Sequence, residues 1–471
     1  MKHKILAVLG IVALLAGMLV AVVSAAVGVD SSELREVVTA DNIWEHLVWL
    51  NGNGPRVSGT PGYDAAAAYV YGMLDAAGYN VAYQNFTYDL WEELSLPVLE
   101  QVSPNPVVYP PYDVTGFATM EYSGDGNVTA EVVQAANYGC SASDFAGADF
   151  TGRIALIERG VCYFSDKAMN AEAAGAAGAI VFNDYARQEA FLGTLGGPVV
   201  SIPVVGSSYA VGQELAVGGV IAHLQVEAVV HLGVETKNVI AETLGGRDDR
   251  VVVVGAHLDT VAGTAGINDN GSGVATILEI AEQMAALGIE PRNKVRFAFW
   301  GAEESGLFGA EYYVSQLGKR GIKNTALNLN FDMVASPTYE RFVYDGDGSD
   351  TATAGPNGSG NIEDIFLDYF ASQGLATAPT EMDGRSDYQA FADVGIPVGG
   401  LFTGAEGYDN CYHYPCDDLD NINMQALEEM SDAAAHAVLT FAMTTSAVPG
   451  TSKASPTAIQ ATEYRGPKAQ R

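Results

Sequence analysis

Two histidines and several carboxylates stand at the ends of predicted strands in the second half of this 471-residue chain. They are His257, Asp259, Asp269, Glu303, Glu304, Asp332 and His413. Imidazole nitrogen and carboxylate oxygen are zinc ligands, and ligand sites in α/β sheets form at the carboxyl ends of strands. These residues therefore predict a metal site, which can hold two ions if one carboxylate bridges them.

Spacing suggests separate roles within this set. Asp269 is the natural bridge, because the glycines around it allow a tight approach of the backbone. Asp259 follows His257 by two residues on an extended segment, so we expect its carboxylate to accept the second imidazole N–H. Glu303 and Glu304 can both face a metal centre at a strand-to-loop bend, one as a ligand and the other as a proton carrier.

Taken singly, each motif has a simpler interpretation. A histidine after a strand is more often a hydrogen-bonded core or surface residue, and a Glu-Glu pair in a loop is usually solvated. The Asn-Asp-Asn-Gly string is usually a turn. Five such motifs in order, each at a strand end, favour the metal site.

The elements that must hold these residues follow from the pattern after Lys237. The β-branched run at 251–254 predicts a strand covered on both faces. Strands are predicted at 294–300, 326–331 and 398–402, and helices at 274–287, 307–317, 362–371 and 424–442. This alternation predicts an α/β fold, a mixed sheet sandwiched by helices in three layers.

The first half has a different character. Helices are predicted at 31–50 and 65–77 and a strand at 81–86, followed by short β-like runs with one helix at 165–174. We therefore predict a signal peptide, a first segment of the α/β domain, a β-rich inserted domain, a second segment of the α/β domain that carries the candidate metal site, and a disordered tail, at residues 1–26, 30–95, 96–235, 236–445 and 446–471.

The N-terminus has the pattern of a secretory signal. Met-Lys-His-Lys precedes an apolar run from Ile5 to Val23, and small residues follow at 24–26. An uncleaved membrane anchor is the alternative, because the run reaches the lower limit of a membrane span. Either way, the sequence predicts an exported protein.

Charge and cysteine content limit the partners. The chain has 23 Lys and Arg against 57 Asp and Glu, a net charge of -34, which disfavours nucleic acid and anionic membranes as partners. Four cysteines in an exported chain indicate disulfides. Cys411 and Cys416 can close a tight loop, which leaves Cys140 with Cys162; a zinc site is the alternative, although paired C-x-x-C knuckles are missing.

At these residues the chain resembles the co-catalytic zinc aminopeptidase family, metallopeptidase family twenty-eight. The strings that carry the resemblance are AHLDTV, GINDNGSGVATILEIA, RFAFWGAEESGLFGAEYYV, NLNFDMVASP, GRSDYQAFADVGIPVGGLFTGAE and CYHYPCDDLDNI, together with RVSGTPGYDAAAAYVYGMLDAAGYNV near the N-terminus. The resemblance implies a secreted enzyme that uses two zinc ions to remove N-terminal residues from peptides.

The resemblance also implies roles for matching residues. One zinc is expected on His257 and Asp332, the other on Glu304 and His413, with Asp269 between them. Glu303 is expected to be the general base, Asp259 to support His257, and Tyr412 to stabilise the oxyanion. The peptide bond between Asp269 and Asn270 is expected to be cis. The pocket for the N-terminal side chain is expected at Met333, Asp383, Arg385 and Phe402, which favours large apolar residues such as Leu.

The middle segment resembles a protease-associated domain. ANYGCSASDF, GRIALIERGVCYFSDKAMNAEAAGAAGAIVFND and SIPVVGSS carry this resemblance. Such a domain is expected to cover the active site or to shape substrate access, and to hold the Cys140–Cys162 disulfide. The Cys411–Cys416 loop is expected to fix Tyr412 and His413.

The sequence departs from the family pattern at two points, and three other functions are the alternatives. The segment from Gly404 to Cys411 is short for the family, and no match to a calcium site is found. A carboxypeptidase would need basic groups for the substrate carboxylate, and Arg385 is the only obvious candidate. A glutaminyl cyclase uses one zinc, whereas all five ligands are present here. A receptor-like ectodomain on this scaffold would lack metal ligands.

Overall fold

The structure is a computed structural model that describes residues 29–405 and 407–444. The predicted signal peptide and C-terminal tail lie outside these residues. Within the described part, no helix has both the length and the apolar character needed to span a membrane.

The described residues form seventeen strands. In chain order, β1 to β17 are Asn80–Glu93, Val98–Ser103, Val107–Tyr109, Phe117–Glu121, Gly126–Gln134, Ile154–Glu158, Gly178–Phe182, Gly193–Thr194, Val204–Ser207, Ile221–Val226, Ala228–Glu242, Arg247–His257, Asn293–Trp300, Thr325–Phe331, Phe342–Tyr344, Ala378–Thr380 and Val398–Phe402.

The described α-helices number ten. In chain order, α1 to α10 are Ser32–Arg35, Ala40–Gly52, Pro61–Ala76, Phe164–Ala173, Tyr209–Leu215, Gly273–Ala286, Phe308–Asn324, Ser359–Gln373, Tyr388–Ala392 and Met424–Met443. Short 3-10 turns lie at Ala142–Asp144 and Leu419–Asn421, and a π-helical turn lies at Ile267–Ser272.

Eight strands form the sheet that carries the predicted metal ligands, in the order β1-β11-β13-β12-β14-β17-β15-β16. The central strands β13, β12, β14 and β17 are parallel. Side chains of β12 alternate between two cores: Val252 and Val254 pack with α3, α6, α8 and α10, whereas Val251 and Val253 pack with α7 and α9. Helices therefore cover both faces, and the predicted three-layer α/β fold with a mixed sheet is confirmed.

Two details differ from the sequence prediction. The helix predicted at 31–50 is two helices, α1 and α2, because the Thr39 side chain accepts a hydrogen bond from the Asn42 amide at 3.2 Å and begins α2 anew. The short strands β15 and β16 were not predicted, since three residues are too few to show a period of two.

A long antiparallel ribbon joins the predicted inserted domain to the domain that carries the predicted ligands. Strand β1 pairs with β11 from Asn80 opposite Glu242 to Glu93 opposite Ala228. Between these strands the chain forms a second, nine-stranded sheet in the order β3-β2-β10-β5-β6-β7-β9-β4-β8. The Cys140–Cys162 disulfide lies in this part, with an S–S length of 2.03 Å.

A partly buried carboxylate in the first turn of α7 leads to a stability prediction. Burial, and then repulsion by Asp393, raise the pKa of Glu311 to about 7 from its ordinary value of 4.5, and its Oε1 is buried without a hydrogen-bond partner in the described structure. A raised carboxyl pKa means that the folded state binds the proton more tightly, so this residue destabilises the fold increasingly as pH rises from about 4.5 to 7.

We expect Glu311→Gln to raise the free energy of unfolding by about 1–2 kcal/mol at pH 8 and by almost nothing at pH 4.5. Thermal unfolding at the two pH values measures the difference. The exposed Glu290→Gln variant is the control, and an equal effect at both pH values would contradict the prediction.

Candidate metal centre

Parallel strand pairing explains why the predicted ligands meet. His257 is the last residue of β12 and lies opposite Trp300, the last residue of β13. Glu303 and Glu304 follow β13 directly, and Asp332 follows β14, the other neighbour of β12. The carboxyl ends of three adjacent parallel strands thus bring these side chains to one edge of the sheet.

The distances divide the predicted ligands into two groups that share Asp269. His257 Nε2 lies 3.2 Å from Asp269 Oδ1 and 3.2 Å from Asp332 Oδ1. His413 Nε2 lies 3.1 Å from Asp269 Oδ2 and 3.2 Å from Glu304 Oε2. The two oxygens of Asp269 therefore face different histidines, which is the arrangement of a bridging carboxylate.

These spacings fit zinc. Nitrogen and oxygen ligands about 2.0–2.1 Å from a tetrahedral zinc lie about 3.3 Å from one another, close to the spacings of the His257 and His413 groups. His413 Nε2 is buried, and its contacts with the two carboxylates do not have hydrogen-bond geometry. Burial alone would lower the pKa of His413, but Glu304 and then Asp269 raise it to about 9. The site therefore attracts cations strongly.

The loop that carries Asp269 is held by another carboxylate. Asp417 accepts hydrogen bonds from the backbone amides of Asn268 and Asp269, at 2.8 and 3.0 Å. The peptide bond between Asp269 and Asn270 is cis, as the family resemblance implies. Asp417 was not predicted as a site residue, although it belongs to the DDLDNI part of the string that carried the resemblance.

Asp259 contacts different groups from those we predicted. Its carboxylate lies 3.8 Å from His257 Nδ1, which is beyond hydrogen-bond distance. The ring nitrogen lies instead 3.2 Å from the Asp259 backbone oxygen. The Asp259 carboxylate accepts hydrogen bonds from the amides of Glu303 and Glu304, at 3.1 and 3.3 Å. It therefore holds the Glu-Glu bend, because those amides at the strand end have no ladder partner.

Glu303 and Asp387 are buried carboxylates with raised pKa values. Burial raises the pKa of Glu303 well above its ordinary value, His257 opposes this, and Glu304 adds to it. Burial likewise raises the pKa of Asp387, whose two oxygens have no hydrogen-bond partner among the described residues. Two acidic side chains besides the predicted ligands therefore lie close enough to His257 to interact with its charge.

Ser386 orients one predicted ligand. Its hydroxyl donates to Asp332 Oδ2 at 2.5 Å and accepts from the Asn330 side chain at 2.8 Å. Neither Ser386 nor Asp387 was predicted as a site residue. Both belong to the GRSDYQ string, but nothing in their spacing from the strand ends indicated their place.

The predicted oxyanion group is linked to the predicted pocket. The Tyr412 ring stacks on His413, with ring centroids 3.9 Å apart, and an Arg385 Nη lies 3.4 Å from the Tyr412 hydroxyl. Asp383 accepts from its neighbour Tyr388 at 3.4 Å. The Cys411–Cys416 disulfide, with an S–S length of 2.01 Å, closes the loop that carries Tyr412 and His413.

The other two predicted pocket residues lie on adjacent strand ends. Met333 follows Asp332 and is buried with a φ of 51°, and its amide donates to Asn270 Oδ1 at 3.1 Å. Phe402 ends β17 and packs beside Phe342, with centroids 6.0 Å apart.

A buried arginine lies behind the centre. Arg56 is fully buried and donates to the backbone oxygens of Leu258, Ala265 and Gly266, at 2.9, 2.5 and 3.0 Å. Burial lowers the pKa of Arg56 to about 10, and nearby carboxylates, first among them Asp417, oppose this. This guanidinium holds together the two loops that carry Asp259 and Asp269.

We expect Arg56→Lys to lower the free energy of unfolding by about 2–4 kcal/mol, because a single ammonium cannot reach three carbonyls in the fork geometry of a guanidinium. Chemical denaturation measures this. Arg247→Lys, at an exposed Arg247–Asp249 pair, is the control and should change stability by less than about 1 kcal/mol. Equal effects of the two variants would contradict the prediction.

The inserted domain touches the edge of the centre. The Tyr122 hydroxyl donates to the backbone oxygen of Ser305, next to Glu304, at 3.3 Å. The Tyr414 hydroxyl, on the disulfide loop, donates to the backbone oxygen of Tyr112 at 3.4 Å. Contacts from the insertion therefore lie on two sides of the predicted ligands.

Two family models match the chain. Residues 238–438 match a model described as peptidase family M28, and residues 128–215 match the PA domain. The chain is 43% identical to an aminopeptidase of Pseudomonas aeruginosa, over 86% of this chain and 80% of that protein. It is 38% identical to a probable leucine aminopeptidase 2 of Aspergillus oryzae, over 89% and 86%.

Solved structures show the same fold. An aminopeptidase from Aneurinibacillus sp. strain AM-1 superposes with a TM-score of 0.75 at 28% identity, covering 88% of this chain and 96% of that one. A zinc aminopeptidase from Bacillus subtilis superposes with a TM-score of 0.64 at 26% identity, covering 86% and 95%.

Proposed function

The chain belongs to peptidase family M28 as a zinc-dependent aminopeptidase with an inserted PA domain, and from that premise we propose that it uses two zinc ions to remove large apolar residues from free peptide N-termini. The observation that carries this proposal is the position of Asp269, whose two oxygens face the two histidines at 3.2 and 3.1 Å.

We propose that one ion is held by His257 and Asp332 and the other by Glu304 and His413, with Asp269 shared. Zinc, when bound, supplies a Lewis acid that polarises a carbonyl and lowers the pKa of water. The ligand spacings support this assignment, as do the burial of His257, Asp269, Glu304 and Asp332 and the low exposure, 14%, of the His413 side chain.

Glu303 is the proposed general base. It is buried beside the predicted ligands, and the Asp259 carboxylate positions its backbone. It would take a proton from the attacking water and pass it to the leaving amine. Tyr412, whose ring stacks on His413, would donate a hydrogen bond from its hydroxyl to the developing oxyanion.

Binding of the free α-amine is proposed to limit cleavage to N-terminal residues. The carboxylates around the centre attract an ammonium group, and a blocked amine would lack that charge. Met333 and Phe402 supply apolar surface at two strand ends, which supports a preference for Leu-like side chains. Asp383 and Arg385 would border the same pocket.

Export is also proposed. The signal-like segment 1–26 and two disulfides support a secreted protein, because disulfides persist in oxidising compartments. We further propose that peptidase segments 30–95 and 236–445 flank an inserted domain at 96–235. The strong negative charge disfavours nucleic acid and anionic membranes as partners.

Hydrolysis of Leu-p-nitroanilide beside its N-acetylated form tests the proposal. We expect turnover of the free-amine substrate alone, its loss with a chelator, and its recovery with zinc. Release of C-terminal residues from N-blocked peptides, without hydrolysis of the anilide, would replace this proposal with a carboxypeptidase. Metal binding without any cleavage would favour a receptor-like protein.

A further inference from the structure

A second group of metal-ligand side chains lies away from the centre, between three helices. It consists of His46 on α2 and of Glu279 and Glu282 on α6. The two glutamates are three residues apart and therefore share a helix face. The His46 and Glu279 side chains are buried, and Glu282 is 23% exposed, which leaves the group open to solvent on one side.

One histidine nitrogen in this group faces both carboxylates. His46 Nε2 lies 3.4 Å from Glu279 Oε2 and 3.2 Å from Glu282 Oε2. A charge-assisted N–H···O bond is about 2.7–2.9 Å long, and one N–H can point at only one of two oxygens. Both contacts are longer than that, and the one with Glu279 is a long hydrogen bond, whereas both match the spacing of about 3.3 Å between ligands of a tetrahedral zinc. The same spacing is found around His257 and His413.

The remaining polar atoms support ligation at this point. The Tyr69 hydroxyl lies 2.7 Å from His46 Nδ1, so that nitrogen can donate its proton there and leave a lone pair on Nε2. The Gln283 amide donates to Glu279 Oε1 at 2.9 Å, which leaves Oε2 towards His46. Outer partners of this kind orient metal ligands.

Charge favours a cation in this group. Among the described residues, Glu279 and Glu282 form ion pairs with His46 and with no Lys or Arg side chain. A third carboxylate, Glu45, acts with Glu282 and Glu279 to raise the pKa of Tyr69, after the larger effect of burial. Two carboxylates that face one histidine nitrogen leave negative charge that a divalent ion would balance.

We propose that His46, Glu279 and Glu282 bind a further divalent metal ion of the zinc class, with water completing its coordination. This ion would join α2 to α6, the helix that begins at Gly273, just after the Asp269 loop. None of the three side chains belongs to the ligand set of the centre, so the role of this ion is structural.

Metal content measured by mass spectrometry tests the proposal. The full chain, its Glu282→Gln variant and its Glu45→Gln variant are equilibrated with low micromolar zinc and freed of excess zinc by gel filtration. We expect Glu282→Gln to hold one ion fewer per chain than wild type while keeping at least half of its Leu-p-nitroanilide turnover. Glu45→Gln, which removes an exposed neighbouring charge, should hold as many ions as wild type.

The proposal is overturned if wild type and Glu282→Gln hold equal amounts of zinc, because His46 is then an imidazolium paired with two carboxylates. It is also overturned if Glu282→Gln loses the ion and the activity together, since that ion then belongs to the centre. Anomalous diffraction at the zinc edge decides the matter without a variant: we expect a peak about 2.0–2.2 Å from His46 Nε2. The absence of that peak at saturating zinc overturns the proposal.

Discussion

Glu303→Gln is expected to lower kcat for Leu-p-nitroanilide by about 10³–10⁴-fold while KM changes less than about 3-fold. An amide cannot accept the proton of the attacking water, and a positioned general base contributes about 10²–10⁴-fold to turnover. Glutamine has the size of glutamate. The hydrogen bond to the Asp259 carboxylate comes from the backbone amide of residue 303, so the substitution leaves it in place. The fold and the metal ligands should therefore be preserved.

Three measurements accompany this variant: steady-state kinetics, zinc content and the melting temperature. Zinc content equal to that of wild type is expected, because Glu303 is not in the proposed ligand set. Glu290→Gln, at an exposed glutamate in the connection between α6 and β13, is the matched control. Residual activity above one tenth of wild type would remove Glu303 from the role of general base.

Asp269→Asn is expected to abolish activity by losing metal. Its carboxylate oxygens lie 3.2 Å from His257 Nε2 and 3.1 Å from His413 Nε2. A carboxylate has two anionic oxygens, whereas an amide has one neutral acceptor oxygen. The asparagine therefore cannot bridge two metal ions as Asp269 is proposed to do. We expect at least one zinc fewer per chain and a decrease in kcat/KM of roughly 10³-fold or more, which is about 4 kcal/mol of transition-state stabilisation.

Stability should follow the loss of metal in this variant. Ligand binding to the folded state alone contributes about 4 kcal/mol when the free ion is at 1,000 times its dissociation constant. We therefore expect zinc to raise the melting temperature of wild type clearly and that of Asp269→Asn much less. Asp420→Asn, at an exposed position, should behave as wild type. Unchanged zinc content in Asp269→Asn would show that one ion, or neither, uses this carboxylate.

The buried strands and the proposed ligands could be predicted from the sequence because their signals are local. The run of valines at 251–254 requires cover on both faces of a sheet, and a polar residue directly after such a strand stands at a known edge. His257, Glu304 and Asp332 are identified in this way. Once parallel strands are assumed, their proximity follows without knowledge of any longer connection.

Other parts of the centre depend on contacts between distant segments, which a single sequence does not show. Arg56 reaches Leu258 across 202 residues, and Ser386 reaches Asp332 across 54. The hydrogen bonds of the Asp259 carboxylate could not be predicted in detail, because direction along a strand does not determine which oxygen of the residue faces a ring. The pair of His46 with Glu279, 233 residues apart, has the same origin in tertiary packing.

The ribbon of β1 and β11 has a consequence for how the chain folds during synthesis. Strand β1 is complete at Glu93, yet its partner begins only at Ala228. If residues 94–227 were unstructured, closing that loop would cost entropy that grows with the logarithm of its length. An insertion that folds first brings its two ends together at the Glu93–Ala228 pair. The folded insertion then holds the end of β1 next to the start of β11. We therefore expect its early folding to accelerate assembly of the sheet that carries the proposed metal centre.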